Sequence, residues 1–354
     1  MALPRLFTHR LLGPGDVGPS QDNLKPAGVF NPAVALFEGA TVLLARVAEV
    51  PVEERPGWIA LPRWEFPARR LIFDWVREEV VERLDTRSVR FRADGHLRLT
   101  FVSHLCLFHS RDGRVVDRMD PTRFLPQNDL EEYGVEDPRI TRIGDVFYIT
   151  YVAVSRHGAA TALASTPDFR TFTRHGLILC PDNKDVVLFP ERIDGRYTAL
   201  HRPSLSSALT RPEMWLATSP DLLDWGSPVP LRRPRLEWER ERLGAGAPPV
   251  RTSVGWLEFY HGNDRRLDLA DPGRYAGGLL LLDFANPAKV LGVSSDAVFV
   301  PELDFERNGF VPNVVFPTGL ELADDLALLY YGAGDAYSAV VGFRLADLLG
   351  AVGR

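Results

Sequence analysis

Apolar residues in this chain gather in short runs. FVSHLCLF, VFYITYVAV, WLEFYHG, LLLLDF and ALLYYG are rich in Val, Tyr, Phe and Ile, and clusters of Gly, Asp, Asn and Pro separate them. Such runs predict strands. Long helical periodicity is scarce. The best stretch is ARRLIFDWVREEVVERL at 68–84, read as a helix although β-branched residues are mixed into it. With 29 Gly and 28 Pro to supply turns, the pattern predicts an all-β protein.

Two internal repeats refine this picture. STPDFRTF at 165–172 recurs as TSPDLLDW at 218–225: a hydroxyl pair, Pro-Asp, an apolar residue and an aromatic three further on. A looser repeat, NPAVA, EDPRI, FPERI, PPVRT and FPTGL, sets Pro32, Pro138, Pro190, Pro249 and Pro317 each before a short strand and a turn. The last four lie 52, 59 and 68 residues apart, and the gap before Pro138 is double-length. These intervals suit four-stranded propeller blades with loops. Because proline donates nothing to a sheet ladder, it is expected at the first residue of a strand. Five such starts predict a five-bladed β-propeller, one domain over 1–354. Residues beside the prolines would converge on a central pocket.

Composition narrows the partners. The 354 residues carry 45% hydrophobic residues and a formal charge of −6, which argues against a nucleic-acid-binding face. No apolar run approaches a membrane span, and the N-terminus lacks the apolar core of a signal peptide. Of the two cysteines, Cys106 sits in an apolar run, so no disulfide framework is expected. The reading is a soluble cytoplasmic protein. Its oligomeric state stays open, a homo-oligomer included.

Candidate chemistry collects around the strand starts. Asn31 belongs to the first; Glu136, Asp137 and Arg139 to the second. Lys184, Glu191, Arg192, His201 and Arg202 flank the third, and the WERER glutamates Glu239 and Glu241 precede the fourth. Tyr260 and His261 end GWLEFYHG, and Asp335 follows the fifth start. Carboxylates that move protons, aromatic faces and cations such as Arg156, Lys184 and His201 fit carbohydrate chemistry with an oxyanion site. Taken alone, Glu136-Asp137 also suits a solvated turn. LGAGAPP at 243–249 leads into a strand and not a helix, which rules out a dinucleotide loop. The eight histidines show no metal-ligand spacing, and no GxSxG elbow is present.

Together, GVEDPRI, YVAVSRHG, NKDVVLFPERIDGRYTALHRP, ERLGAGAPPVRTSVGWLEFYHG and VVFPTGLELADDLALLYYGAGD resemble glycoside hydrolase family 130, the β-mannoside phosphorylases and related β-mannosidases. The matches run in family order over roughly residues 28–340. The resemblance implies a five-bladed propeller with Asp137 as general acid at the bottom of the pocket, acting through a hydroxyl of the bound mannose. Glu136 is expected to point elsewhere or to bond the scaffold, since successive side chains in extended chain face opposite ways. Phosphate then serves as nucleophile and co-substrate, with no other cofactor. The resemblance also implies phosphate contacts from Arg156, Lys184 and His201 with Arg202 as neighbour, and sugar contacts from Asn31, Arg46 and Asp335. Tyr260 and His261 complete the substrate-binding candidates.

One stretch has no counterpart in that resemblance: GWIALPRWEFPARRLIFDWVREEV, an insertion-like segment near 50–90. The expected function is inverting phosphorolysis of β-linked mannosides to α-mannose 1-phosphate and a shortened acceptor. The alternatives are an inverting β-1,2-mannosidase, which the WERER glutamates would also suit, and a non-catalytic glycan-binding propeller.

Overall fold

Each apolar run pairs with its neighbours in the chain. The computed structural model describes residues 2–204, 209–265 and 273–353. It is nearly all antiparallel β-structure; the α-helices among the described residues are Asp304–Arg307 and Leu345–Val352. The first sheet holds Leu24–Phe37, Ala40–Pro51, Val102–Ser110 and Arg118–Phe124. The second holds Gly134–Ile143, Val146–Ser155, Gly158–Thr166 and Thr173–Leu179. A lone parallel pair, Gly134 with Ser103, joins these two into one continuous sheet of eight strands. The third comprises Asn183–Leu188, Tyr197–Pro203, Met214–Ser219 and Gly226–Arg232. The fourth comprises Arg242–Ala245, Trp256–Asn263, Tyr275–Leu282 and Val290–Val293, with Val250–Arg251 paired at one end. The fifth contains Val315–Ala323, Leu326–Ala333 and Tyr337–Arg344, and the strand Phe7–Leu12 adds to its edge. No helix among the described residues is long and apolar enough to cross a membrane.

Apolar cores lie between successive sheets. One joins the first and second around Leu44, Ile140 and Tyr151. The next joins the second and third around Leu163 and Leu188, and another the third and fourth around Val187 and Trp256. The fourth and fifth meet around Phe259 and Tyr331, and the fifth and first around Val47 and Tyr330. Each sheet is therefore covered on both faces, which is why its strands read as continuous apolar runs. The first strands are neighbours in space as well. Leu24–Phe37 lies beside Gly134–Ile143, which lies beside Asn183–Leu188, which lies beside Arg242–Ala245. Val315–Ala323 lies beside the fourth sheet and Leu24–Phe37.

The PD repeat is a turn device. Thr166 Oγ1 accepts from Phe169 N, and Asp168 Oδ1 accepts from Arg170 N and Thr171 N. Ser219, Asp221 and the amides of Leu222, Leu223 and Asp224 repeat the arrangement. Phe169 and Leu222 both take positive φ, 56° and 73°. Each turn connects the third and fourth strands of its sheet.

Two expectations need correction. The stretch 68–84 is no helix; it forms the strand Arg70–Arg77, a short 3₁₀ turn and the strand Val81–Arg83. Arg70–Arg77 pairs with Trp58–Glu65, and both faces of this ribbon are covered. Leu71 and Phe73 pack with Leu24, Trp64 and Val102, while Val76 packs with Ile59, Leu61, Val81 and Val89. Apolar residues on both parities imitate helical spacing. The prolines, in turn, do not open strands, Pro249 excepted. Pro32, Pro138 and Pro317 lie inside strands where the register shifts. A bulge leaves a residue unpaired, so a missing N–H costs nothing there. Pro190 follows its strand, and Pro249 precedes the short Val250–Arg251.

Candidate active site

Three bulges on the first strands of adjacent sheets build the centre of the site. Asn31, Asp137 and Asp185 hold positive φ there, 51°, 46° and 55°, and Asp335, in the turn after Leu326–Ala333, holds 48°. Asn and Asp tolerate this region better than other side chains. At each bulge the alternation of side chains breaks. Glu136 and Asp137 consequently face the same cavity: Glu136 does not point elsewhere, and it is bonded to Arg46. Arg46 grips both: Nη1 donates to Asp137 Oδ1 at 2.9 Å and Nη2 to Glu136 Oε1 at 2.7 Å. Its Nε donates to Ser103 Oγ at 3.0 Å, and its guanidinium stacks 4.8 Å from the Phe30 ring. Asn31 Nδ2 donates to Asp137 Oδ1 at 2.6 Å, and Lys184 Nζ stands 3.5 Å from Asp137 Oδ2.

The cavity they line has a volume of about 330 Å³. Phe30, Phe101, Tyr275, Phe310 and Phe316 give it aromatic walls suited to the C–H faces of a sugar. Four carboxyls (Asp85, Glu136, Asp137, Asp335) and three cations (Arg46, Arg87, Lys184) supply its polar groups. Asn31, Arg46, Asp137, Lys184 and Asp335, up to 304 positions apart in the chain, are thus brought together as the sequence suggested.

The other candidates are placed differently. Arg156 has its side chain 60% exposed and held by both oxygens of Glu132, at 2.8 and 2.7 Å. It sits on the hairpin whose flanks, Val154 and Ala159, line the cavity. His201 and Arg202 are buried on the strand paired with that of Lys184. His201 Nδ1 meets the Asn183 amide at 3.1 Å, while Arg202 Nη1 lies 3.0 Å from Asp185 Oδ2. His261 is fully buried, 3.3 Å from Asp185 and against the Phe316 ring at 4.2 Å, one layer behind the wall. Tyr260 does not belong to the site. It faces the core between the third and fourth sheets, packs on Trp238, and its hydroxyl donates to Glu239 at 3.1 Å. Strand alternation turns it away from the side that His261 faces. The WERER glutamates are structural too: Glu239 Oε1 accepts from Arg232, Arg235 N and Leu236 N, and Glu241 pairs with Arg211 at 3.4 Å.

Sequence reading missed Asp85 and Arg87, which reach the cavity from the insertion-like segment. Arg87 Nη2 donates to Asp85 at 2.9 Å, and Nη1 donates to Asp335 at 3.3 Å. Nothing marks one arginine among 41 Lys and Arg. Phe30 was findable, since it precedes Asn31 in FNPA.

Electrostatics divides the carboxyls. Burial pushes Asp137 up, but the charges of Arg46 and Lys184 outweigh it and hold the group well below the ordinary aspartate range. Glu136 goes the other way: burial raises it, and Arg46 only partly offsets that. Asp335 is also raised by burial, against Arg87. Behind the cavity wall, burial brings His201 and His261 down to about 4, so both rings are neutral at pH 7. Arg202 keeps Asp185 ionised despite its burial. Glu258 is raised well above its usual value by burial, and its Oε1 accepts from Gly246 N at 3.0 Å. Without ligand, then, the centre holds an ionised Asp137 between cations, beside carboxyls that burial protonates more readily.

A buried carboxylate clamped by cations in an aromatic-walled cavity, at the meeting point of several β-sheets, defines a carbohydrate-active enzyme site. The comparisons with known proteins agree. The model of glycoside hydrolase family 130, described as beta-1,4-mannooligosaccharide phosphorylase, matches residues 44–353. The chain belongs to that family. It is 36% identical over 355 residues to a beta-1,2-mannobiose phosphorylase of Listeria innocua, covering 99% of this chain and 98% of the relative. A 1,2-beta-oligomannan phosphorylase of Thermoanaerobacter sp. is 34% identical over 252 residues, 70% of this chain and 81% of the relative. A solved structure of the Listeria innocua beta-1,2-mannobiose phosphorylase, complexed with beta-1,2-mannobiose, superposes with a TM-score of 0.92 at 35% identity. It covers 98% of this chain and 99% of that one.

Proposed function

We propose that this chain is an inverting β-mannoside phosphorylase, with β-1,2-mannobiose as its first substrate. Inorganic phosphate attacks the anomeric carbon of the non-reducing mannosyl unit and yields α-mannose 1-phosphate and a shortened acceptor. The observation that carries the reading is Asp137 facing Lys184 in one cavity. That pairing sets a carboxyl able to carry the proton beside an anion-holding group, in a chain similar over its whole length to a mannobiose phosphorylase. With phosphate as nucleophile, one acid is sufficient, and no second carboxylate has to activate water.

The mechanism starts from an ionised Asp137. A phosphate dianion settling beside Lys184 draws that cation away and adds negative charge close by. Both changes raise the Asp137 pKa, so the carboxyl takes up a proton as substrate and phosphate assemble. It then delivers the proton, through a mannose hydroxyl, to the departing oxygen. Asn31 and Arg46 hold the carboxyl in place, and Asp335 is assigned to the mannose hydroxyls. Arg156, His201 and Arg202 lie on the Lys184 flank and are assigned to support the phosphate. To reach it, Arg156 must release the buried Glu132, whose two oxygens it grips at 2.8 and 2.7 Å.

The same reading takes the five sheets as five blades of one propeller domain. Its support is the closed order of interlayer cores and the pairing of the N-terminal strand with the last sheet. The deciding experiment incubates the enzyme with β-1,2- and β-1,4-mannobiose, with and without phosphate, and measures mannose and mannose 1-phosphate. Mannose 1-phosphate formed only with phosphate is expected. Free mannose released at equal rate without phosphate would establish a mannosidase instead.

A further inference from the structure

The segment that the sequence leaves without a role reaches the cavity. Val81–Arg83, Ser88–Phe91 and Leu97–Leu99 form a small three-stranded sheet. Asp85, Arg87, Ser88, Leu97 and Leu99 from this sheet and its first turn line the same space as Asp137. The turn is tightly fixed. Leu84 N donates to Ser88 O at 3.1 Å, Thr100 N to Arg87 O at 3.0 Å and Thr100 Oγ1 to Thr86 O at 2.7 Å. Thr86 Oγ1 donates to Phe310 O at 2.9 Å, tying the turn to the opposite wall. Arg87 N donates to Asp85 Oδ1 at 2.8 Å. The guanidinium is therefore presented by a pre-organised turn.

Its two carboxylate partners distinguish it from Lys184, whose side chain is exposed to a similar degree, 24%. Side-chain exposure rises from 5% at Asp137 and 9% at Arg46, through 15% at Asp335, to 30% at Arg87. The reacting mannose must lie against Asp137 at the closed end, so Arg87 stands over the next sugar outward. Two carboxylates, Asp85 and Asp335, already neutralise Arg87. A phosphate dianion gains little from such a group, whereas uncharged hydroxyls are good acceptors for its planar fork. We propose that Arg87, set by Asp85 and Thr86, recognises the leaving sugar and is the specificity-determining residue for the acceptor. This rests on the phosphorylase reading for the reaction but not for the geometry.

The test compares wild type, Arg87→Ala and Arg87→Lys in both directions. In synthesis from mannose 1-phosphate and mannose, Arg87→Ala should raise the KM for the acceptor mannose at least tenfold. The KM values for mannose 1-phosphate, and for phosphate in phosphorolysis, should stay within about threefold. Arg87→Lys, which keeps the charge and loses the fork, should show the same split in smaller measure, and it replaces Arg87→Ala if that variant does not fold. An equal loss for donor and acceptor would reduce Arg87 to a prop for Asp335. A rise confined to phosphate would make it part of the anion site. Either result overturns the proposal. A wild type that makes no mannose 1-phosphate defeats the proposed function alone. The Arg87 claim is then decided by the mannobiose KM of Arg87→Ala, where a tenfold rise with kcat retained supports it and an unchanged KM overturns it.

Discussion

Replacing Arg46 by Met keeps the side chain's apolar bulk between Phe30 and Phe101 and removes its charge. Arg46 is buried and donates to two buried carboxyls at 2.9 and 2.7 Å. Breaking a buried ion pair by deleting one partner costs about 3–5 kcal/mol, because the other charge is left without compensation. Two features limit the loss here. Glu136 is already raised by burial and takes up a proton once Arg46 is gone, and Asp137 keeps Lys184 and Asn31. The expected loss at pH 7 is therefore near the lower bound, about 3 kcal/mol. At roughly 2 °C per kcal/mol for a large domain, Tm falls by about 6 °C. The pH dependence is more diagnostic than the size. The folded-state pKa of Asp137 is depressed, so its contribution is present above its unfolded value near 4 and is lost as pH falls through the folded value. Arg46→Met removes most of that contribution. The gap between wild type and variant should thus be widest near neutrality and shrink below about pH 4. Denaturant titrations at several pH values read this directly. Equal stabilities at pH 7, or a gap that widens in acid, would refute the assignment of Arg46 as the clamp that keeps Asp137 ionised.

Further outcomes follow from the same geometry. Asp137→Asn should lower turnover by at least the roughly 10² to 10⁴-fold that general acid catalysis contributes, while circular dichroism stays unchanged; near-normal turnover would locate the acid elsewhere. Lys184→Ala removes one charged bond worth about 1.5–3 kcal/mol, so the KM for phosphate should rise roughly ten- to a hundredfold and that for the mannoside much less. A comparable rise in both would detach Lys184 from phosphate. Both cysteines are free, Cys180 exposed and Cys106 buried with its thiol pushed up to about 12. A thiol reagent at pH 8 should therefore titrate one sulfur in the native enzyme and two after denaturation; two fast thiols in the native state would mean that Cys106 is accessible.

What the sequence disclosed and what it hid have separate physical origins. Strands covered on both faces announce themselves as unbroken apolar runs, so VFYITYVAV and WLEFYHG were readable as Val146–Ser155 and Trp256–Asn263. The 68–84 ribbon is covered on both faces as well, but its charged residues fall at intervals that fit a helix equally well. Only pairing with Trp58–Glu65 decides between them. Asn31, Asp137 and Asp335 were legible because the backbone they occupy restricts the choice of residue: each holds positive φ, where a short polar side chain is at ease. The bulge that makes them conspicuous also defeats the simplest inference from them. Alternation put Glu136 on the far side of Asp137, yet the bulge sets it in the cavity; Tyr260 was a candidate because it ends GWLEFYHG beside His261, and there unbroken alternation sets it in the core. Arg87 lies at the other extreme. Its turn is held by backbone bonds to Ser88 and Thr100, which constrain geometry and not residue type. Residues that bear on the reacting bond are thus written into the local backbone. The residue assigned to the departing sugar is carried by a turn whose bonds set its direction and not its identity, so nothing in the local sequence announces it.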